Sequence, residues 1–167
     1  AAEFDGNVFI DTITGAASHT LNFDADVTAA TALTLNTGAA TFAGDVTAGT
    51  LFNFAAAGSM TFDGAGDQTI TGDLTTNANG SGSITVSNTG GIVTFADKIG
   101  VSGTGIGTLT TNASTSTVFK DTVFVGEASL SGTNEFRAAV TVDNAGTGNG
   151  NLTIATGSTI TIGTGFA

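Results

Sequence analysis

A short motif recurs along the chain at intervals near twenty residues: a Phe, an Asp in most copies, and then Val or Ile. The intervals between its successive Phe residues are 19, 20, 33, 24 and 17 residues, and the longest can hold a further copy without its Phe. One coil of a three-sided parallel β-solenoid needs about twenty residues, for three short strands and three turns. The six copies are FDADV from Phe23, FAGDV from Phe42, FDGAGDQTI from Phe62, FADKI from Phe95, FKDTV from Phe119 and FRAAV from Phe136.

The residues between these motifs indicate β-strands. Apolar residues alternate with Thr, Ser, Asn and Asp at period two in short runs such as residues 83–87, 122–125 and 139–143. This period is typical of strands, and the intervening Gly, Asn and Asp favour turns. Glu, Lys and Arg, the charged helix formers, are scarce, and no window shows helical spacing of large apolar residues. The sequence therefore predicts an all-β fold.

Two all-β architectures suit such short strands. A parallel β-solenoid, or β-helix, would stack about eight coils of roughly 20 residues into a rod about 40 Å long. An antiparallel β-sandwich also accommodates alternating strands with frequent turns. We favour the solenoid because a sandwich has no reason to repeat one motif six times. We expect residues 1–167 to form a single elongated domain.

The charge balance narrows the choice of partners. The chain has 3 Lys and Arg residues against 14 Asp and Glu residues, giving a formal charge of −11. Nucleic acid and anionic membranes would be repelled. Membrane insertion is not expected either, because no run approaches the 18 apolar residues of a spanning helix. The chain has no Cys, so the fold must depend on packing and hydrogen bonds without disulfides.

The Asp residues that follow the Phe positions are candidate metal ligands. In a solenoid we expect them to stack along one edge, where carboxylates and carbonyls would suit calcium. Asp is also a common turn residue that accepts backbone hydrogen bonds, and this second interpretation stays open beside the first. The candidate calcium ligands are Asp24, Asp26, Asp45, Asp63, Asp67 and Asp97.

The inventory for catalysis is poor. His19 is the only histidine, and the chain has no Tyr, Trp or Cys. We therefore expect no enzymatic activity and no cofactor. A polysaccharide-cleaving β-helix enzyme with paired carboxylates stays open as an alternative, although such sites usually carry basic and aromatic groups as well.

The two ends provide the clearest functional indication. Residues 144–167 contain no charged side chain, and they include the apolar strands predicted around Leu152 and Ile160. A bare edge of this kind is available for pairing. We expect head-to-tail self-assembly between this end and residues 6–10 of another copy. The candidate assembly residues are Val8, Phe9, Ile10, Leu152, Ile154, Ile160 and Ile162.

Residues 62–72, FDGAGDQTITG, and residues 84–95, ITVSNTGGIVTF, resemble the β-strand repeats of bacterial autotransporter passengers, large adhesins and surface-layer proteins. The resemblance implies an extracellular or cell-surface protein, secreted with removal of a signal peptide. It also implies a structural subunit of a filament, sheath or surface layer that forms a homopolymer. The alternative is an adhesin-type binding module that recognises glycan, host protein or other cell-surface material.

Overall fold

The computed structural model describes residues 1–15, 19–113, 115–143, 150–157 and 159–162. The described residues contain no helix, and so none that could cross a membrane. The strands are β1 Ala2–Phe4, β2 Val8–Gly15, β3 Thr20–Phe23, β4 Val27–Leu35, β5 Ala39–Phe42, β6 Val46–Phe54, β7 Ser59–Phe62, β8 Gln68–Thr76, β9 Ser81–Val86, β10 Ile92–Phe95, β11 Ile106–Thr111, β12 Ser116–Phe119, β13 Val123–Leu130, β14 Thr133–Phe136, β15 Val140–Val142, β16 Asn151–Ile154 and β17 Thr159–Ile162.

These strands form a parallel β-solenoid of about seven turns, so the predicted fold class is confirmed. Every pairing between two described strands is parallel, whereas a sandwich would need antiparallel pairs. Phe23 is level with Phe42, and Phe42 with Phe62, which gives coils of 19 and 20 residues. Phe62 is level with Val86, so the coils become longer further along the chain.

The strands stack into three faces, which the chain visits in the order A, B, C. Face A contains β1, β3, β5, β7, β9, β11, the second part of β13, and β16. Face B contains the first parts of β2, β4, β6 and β8, followed by β10, β12, β14 and β17. Face C contains the second parts of those four long strands, the bridge residue Ile99, the first part of β13, and β15.

The core is a continuous apolar column inside the three faces. Alternate residues of each strand point inward, as in Met60 and Phe62 on face A, while Ser59 and Thr61 point outward. Equivalent inward residues of successive coils lie above one another, so each coil buries its side chains against its neighbours. Burial of this kind stabilises by about 25 cal/mol per Å² of apolar surface. The core therefore grows with every coil that is added.

The Phe residues of the motif form two stacks on different faces. Phe4, Phe23, Phe42 and Phe62 stack on face A, with ring centroids 4.9 to 5.5 Å apart. The second stack comprises Phe95, Phe119 and Phe136, and it lies on face B because Phe95 is level with Ile70. The rings of Phe62 and Phe95 meet edge to face at 5.4 Å, with an interplanar angle of 88°.

The 33-residue interval explains this change of face. Val86 occupies the face A position after Phe62, so a coil without its Phe is indeed present. The chain then continues to face B before the motif resumes at Phe95. The interval is therefore longer than one coil because it contains one coil and one additional strand.

One inward column of face B contains polar side chains: Gln68, Val93, Thr117, Asn134 and Ile160 are level in successive coils. The buried Gln68 amide donates to the carbonyls of Phe42 and Gly44 at 2.9 and 3.0 Å, and its oxygen accepts from Gly64 N and Asn88 Nδ2. Thr117 Oγ1 and Asn134 Oδ1, in contrast, are buried without a hydrogen-bond partner among the described residues.

Candidate functional site

Five of the six candidate calcium ligands lie on the corner between faces A and B, where their carboxylates bind backbone. Asp26 Oδ1 accepts from the N–H of Asp45 at 2.9 Å, and Asp45 Oδ1 accepts from Thr69 at 2.7 Å. Asp67 Oδ1 accepts from Ile92 at 2.9 Å. Each of these carboxylates therefore links its coil to the next one. This arrangement supports a hydrogen-bonding role, although the donors belong to neighbouring coils and not to the Asp's own turn.

Asp97 lies on a different corner, so the expectation that all six Asp residues stack on one edge is wrong. It follows Phe95, which has moved to face B, and it therefore lies between faces B and C. Its Oδ2 accepts from the N–H of Gly72 at 2.8 Å, back toward the preceding coil. The motif carries its Asp with its Phe, and both change position together.

Asp63 differs from its neighbours in its electrostatics. Partial burial raises the pKa of its carboxyl above the ordinary value, a backbone hydrogen bond opposes this rise, and the charge of Asp24 adds to it. The ionised form of Asp63 is thus less favourable in the fold than in the unfolded chain.

Among the described residues, the acidic groups near enough to share a cation are Glu3, Asp5 and Asp24. One carboxylate oxygen from each lies within 4.8 Å of the others, and all three side chains are exposed. Asn22 Nδ2 donates to Asp24 Oδ1 at 3.0 Å, which partly satisfies that carboxylate. Only Asp24 belongs to the predicted ligand set, so the structure does not bring the six together. Calcium binding stays a prediction.

The candidate assembly residues lie at the two opposite ends of the rod. In the first coil the side chain of Phe9 is 75% exposed, Ile10 is exposed, and Val8 is half-buried against the core. In the last strands Leu152 is 54% exposed and Ile154 is 49% exposed, while Ile160 is half-buried. The backbone of Ile162 pairs with Phe136, but its side chain lies outside the described residues.

Both ends leave the apolar core open. At the C-terminal end, side chains from all three faces line a cavity of about 400 Å³, which includes Leu130, Phe136, Val142, Ile154 and Ile160. At the N-terminal end, a groove of about 250 Å³ is lined by residues that include Phe4, Val8, Ile10, Leu21 and Phe23. Strands β1 and β2 at one end, and β16 and β17 at the other, each have one edge without a partner strand among the described residues.

The two ends differ in charge. The first coil carries Glu3, Asp5 and Asp11, whereas β15, β16 and β17 contain no charged residue. The three basic residues of the chain all lie on the corner between faces B and C, in the later coils. Lys98 Nζ is 2.7 Å from Asp73 Oδ2, a hydrogen bond that raises the pKa of Lys98. The Arg137 guanidinium pairs with Glu135 and lowers its pKa.

The sequence analysis missed one member of the repeat at the N-terminal end. Phe4 precedes Phe23 by 19 residues and is followed by Asp5 and Val8, so the motif itself could have identified it. Its ring stacks on Phe23 at 4.9 Å and remains 38% exposed. Phe4 is therefore the open end of the first Phe stack.

Face A carries a second feature that was not predicted, a column of outward hydroxyl groups. One outward position holds Thr or Ser in six successive coils, and a neighbouring position holds Ser59, Ser83 and Thr108 before Glu127 interrupts it. A depression of about 330 Å³ beside Ser83 and Glu127 lies on this face. The first column contains Thr41, Thr61, Thr85, Thr110, Ser129 and Thr153.

Comparison of the chain with protein-family models, with curated proteins and with solved structures gives no match. The functional argument therefore depends on the geometry of the rod, its two ends and its faces.

Proposed function

We propose that the protein is a structural subunit of an extracellular filament, sheath or surface layer, which assembles through the exposed strand edges at its ends. Its mass is devoted to a regular rod, with a core that continues through every coil. Its location outside the cell is part of the proposal and is supported by the acidic, Cys-free, Gly- and Thr-rich sequence and its surface-protein resemblance.

The observation that carries this proposal is that both ends of the described rod present open edges and apolar core side chains. Unpaired parallel edges bind additional strands through backbone hydrogen bonds. Exposed apolar groups such as Leu152 and Ile154 add a hydrophobic contribution when a strand covers them. Contacts between two different ends do not close on themselves, so they extend into a filament.

Negative-stain electron microscopy and sedimentation velocity of the purified protein test the proposal, with and without Ca²⁺. We expect elongated particles whose length increases with protein concentration. Monomers at every concentration under both conditions would contradict it.

A matched pair of variants separates end contacts from general stickiness. Ile154 at the C-terminal end and Ile92 on face B are similarly exposed, at 49% and 46%. Ile154→Lys places a charge against the open core and should abolish or strongly weaken assembly. Ile92→Lys is expected to assemble like the parent protein. Equal loss in both variants would indicate association through the lateral faces instead.

A second candidate function is favoured by the hydroxyl column on face A. Regularly spaced hydroxyl groups, about 4.8 Å apart along the rod, can exchange hydrogen bonds with a glycan. An adhesin-type module would use this surface as a monomer. Glycan-array binding that is lost in a Thr61→Lys/Thr85→Lys variant and retained in Thr28→Lys/Thr47→Lys, on face B, would support this alternative. Absence of binding in the parent protein would exclude the glycans tested.

A further inference from the structure

Building on the proposed self-assembly, we propose that a second copy continues the solenoid in register, with its β1 on β16 and the start of its β2 on β17. The ring of its Phe4 then enters the C-terminal cavity. The partner is therefore another copy of this chain, bound through one defined end, and the junction has one polarity and one register.

The register follows from the levels that the coils share. On face A, the level that begins with Phe4 and Phe23 continues through Val86 and Leu130 to Ile154. A further strand that obeys this order places the second copy's Phe4 over Ile154 and its Glu3 over Thr153. On face B, the level of Val8 ends at Ile162, so the same displacement brings β2 over β17. One movement thus satisfies two faces.

The cavity and the exposed ring are complementary. The C-terminal cavity of about 400 Å³ is lined by apolar side chains from all three faces, including Leu130, Phe136 and Ile154. Earlier coils have no such opening at face A, since Phe23, Phe42 and Phe62 fill it and are fully buried. Phe4 is the ring of this series that remains partly exposed. A Phe at this level would complete the core across the junction.

Charge and shape select the polarity. A head-to-head contact would bring Glu3, Asp5 and Asp11 of one copy against the same residues of another, and like charges repel. A tail-to-tail contact would place two cavities against each other with no aromatic ring to fill either. The head-to-tail contact joins an acidic end to strands without charge, and it supplies a ring to each cavity.

Introduced cysteines can measure this polarity, because the chain has none of its own. Glu3→Cys and Thr153→Cys are prepared as separate proteins, mixed in equal amounts, and oxidised. In register, the two Cα atoms would lie about 4.8 Å apart, within the range of about 4.4–6.8 Å that a disulfide requires. We expect mixed dimers between the two variants. A mixture of Asp11→Cys and Thr153→Cys is the off-register control and should give few dimers.

The outcomes distinguish the register from the assembly itself. Homodimers of either single variant in place of mixed dimers would overturn the polarity. Filaments in the microscope without mixed dimers would overturn the register and leave the proposed function intact. Absence of both filaments and dimers would overturn this inference together with the proposed function.

A second pair of variants tests the cavity contact. Phe4→Ala removes the ring that would fill the cavity, and we expect at least a tenfold loss of association. Phe9 is more exposed, but it alternates with the inward Val8 and Ile10 and therefore points away from the core. Phe9→Ala should associate nearly as the parent does. The reverse pattern would overturn the assignment of Phe4, and circular dichroism checks that both variants remain folded.

Discussion

The early and late coils use the same motif on different faces of the rod. Before residue 63 the Phe residues of the motif stack on face A, and the Asp residues that follow them lie at the corner between faces A and B. From Phe95 onward the stack lies on face B, and Asp97 lies at the next corner. The motif is therefore a local unit of strand and corner that either face can accommodate.

The two regions also differ in how their buried polar groups are satisfied. Gln68, near the change of face, has partners for both its nitrogen and its oxygen. Thr117 and Asn134, later in the same column, each leave one oxygen without a partner among the described residues. A buried polar group stabilises only when it is hydrogen-bonded. The comparison thus indicates that the early coils and the change of face are better satisfied than the late coils.

The largest effect is expected from removing one ring from each Phe stack. Phe42→Ala and Phe119→Ala both remove a fully buried ring between two others. Each should lower the free energy of unfolding by about 3–5 kcal/mol. Urea denaturation measures the change, with Phe9→Ala as an exposed control. Markedly unequal losses in the two variants would show that the stacks are not equivalent.

The next effect comes from the satisfied amide. Gln68→Leu preserves the approximate volume but leaves the carbonyl of Gly44 and the N–H of Gly64 without their partner. Each buried group left unsatisfied costs about 1–3 kcal/mol, so we expect a total loss of at least about 2 kcal/mol. Chemical denaturation provides the value. A neutral result would mean that water replaces the amide.

An opposite sign is expected in the late coils. Thr117→Val replaces the unpartnered hydroxyl with a methyl group of similar size. The free energy of unfolding should rise by about 1 kcal/mol, because burial of the hydroxyl is no longer penalised. Thermal and urea melts report the change. A loss of stability would imply that the hydroxyl is hydrogen-bonded in solution and would remove the contrast with Gln68.

The smallest effect concerns pH and belongs to the early corner. Because burial raises the pKa of Asp63 in the fold, its protonated form favours folding at low pH. That contribution is lost as pH rises through the raised pKa. Asp63→Asn should therefore melt slightly higher than the parent at pH 7, and the advantage should shrink toward pH 3. Solvent screening keeps the effect small. Asp24→Asn is informative as well, because the Asp24 charge contributes to the same shift.

Much of the fold could be predicted from local sequence. The spacing from Phe23 to Phe42 and Phe62 sets the coil length, and the period-two alternation sets the inward positions. The face on which a motif lies could not be predicted, because neither Val86 nor the extra strand before Phe95 announces the shift. Since the local pattern of Phe95 is the same on either face, only the pairing with Ile70 distinguishes them.

The candidate site was predicted less completely. The apolar, uncharged residues near Leu152 and Ile154 were identified because composition alone shows them. The shared calcium edge failed at Asp97, since that prediction assumed one face for every Phe. The hydroxyl column on face A depends on the register between coils of unequal length, and the sequence does not display that register.

The parallel pairing between coils has a mechanical consequence. Hydrogen bonds between neighbouring coils run along the axis of the rod, so a force that separates its ends loads the bonds of one coil before those of the next. Each coil of about 20 residues would then release about 70 Å of chain as it unwinds. Single-molecule stretching should show a series of modest steps of this length. A rod of this construction would absorb strain by lengthening in stages, and its remaining coils would stay folded while it did so.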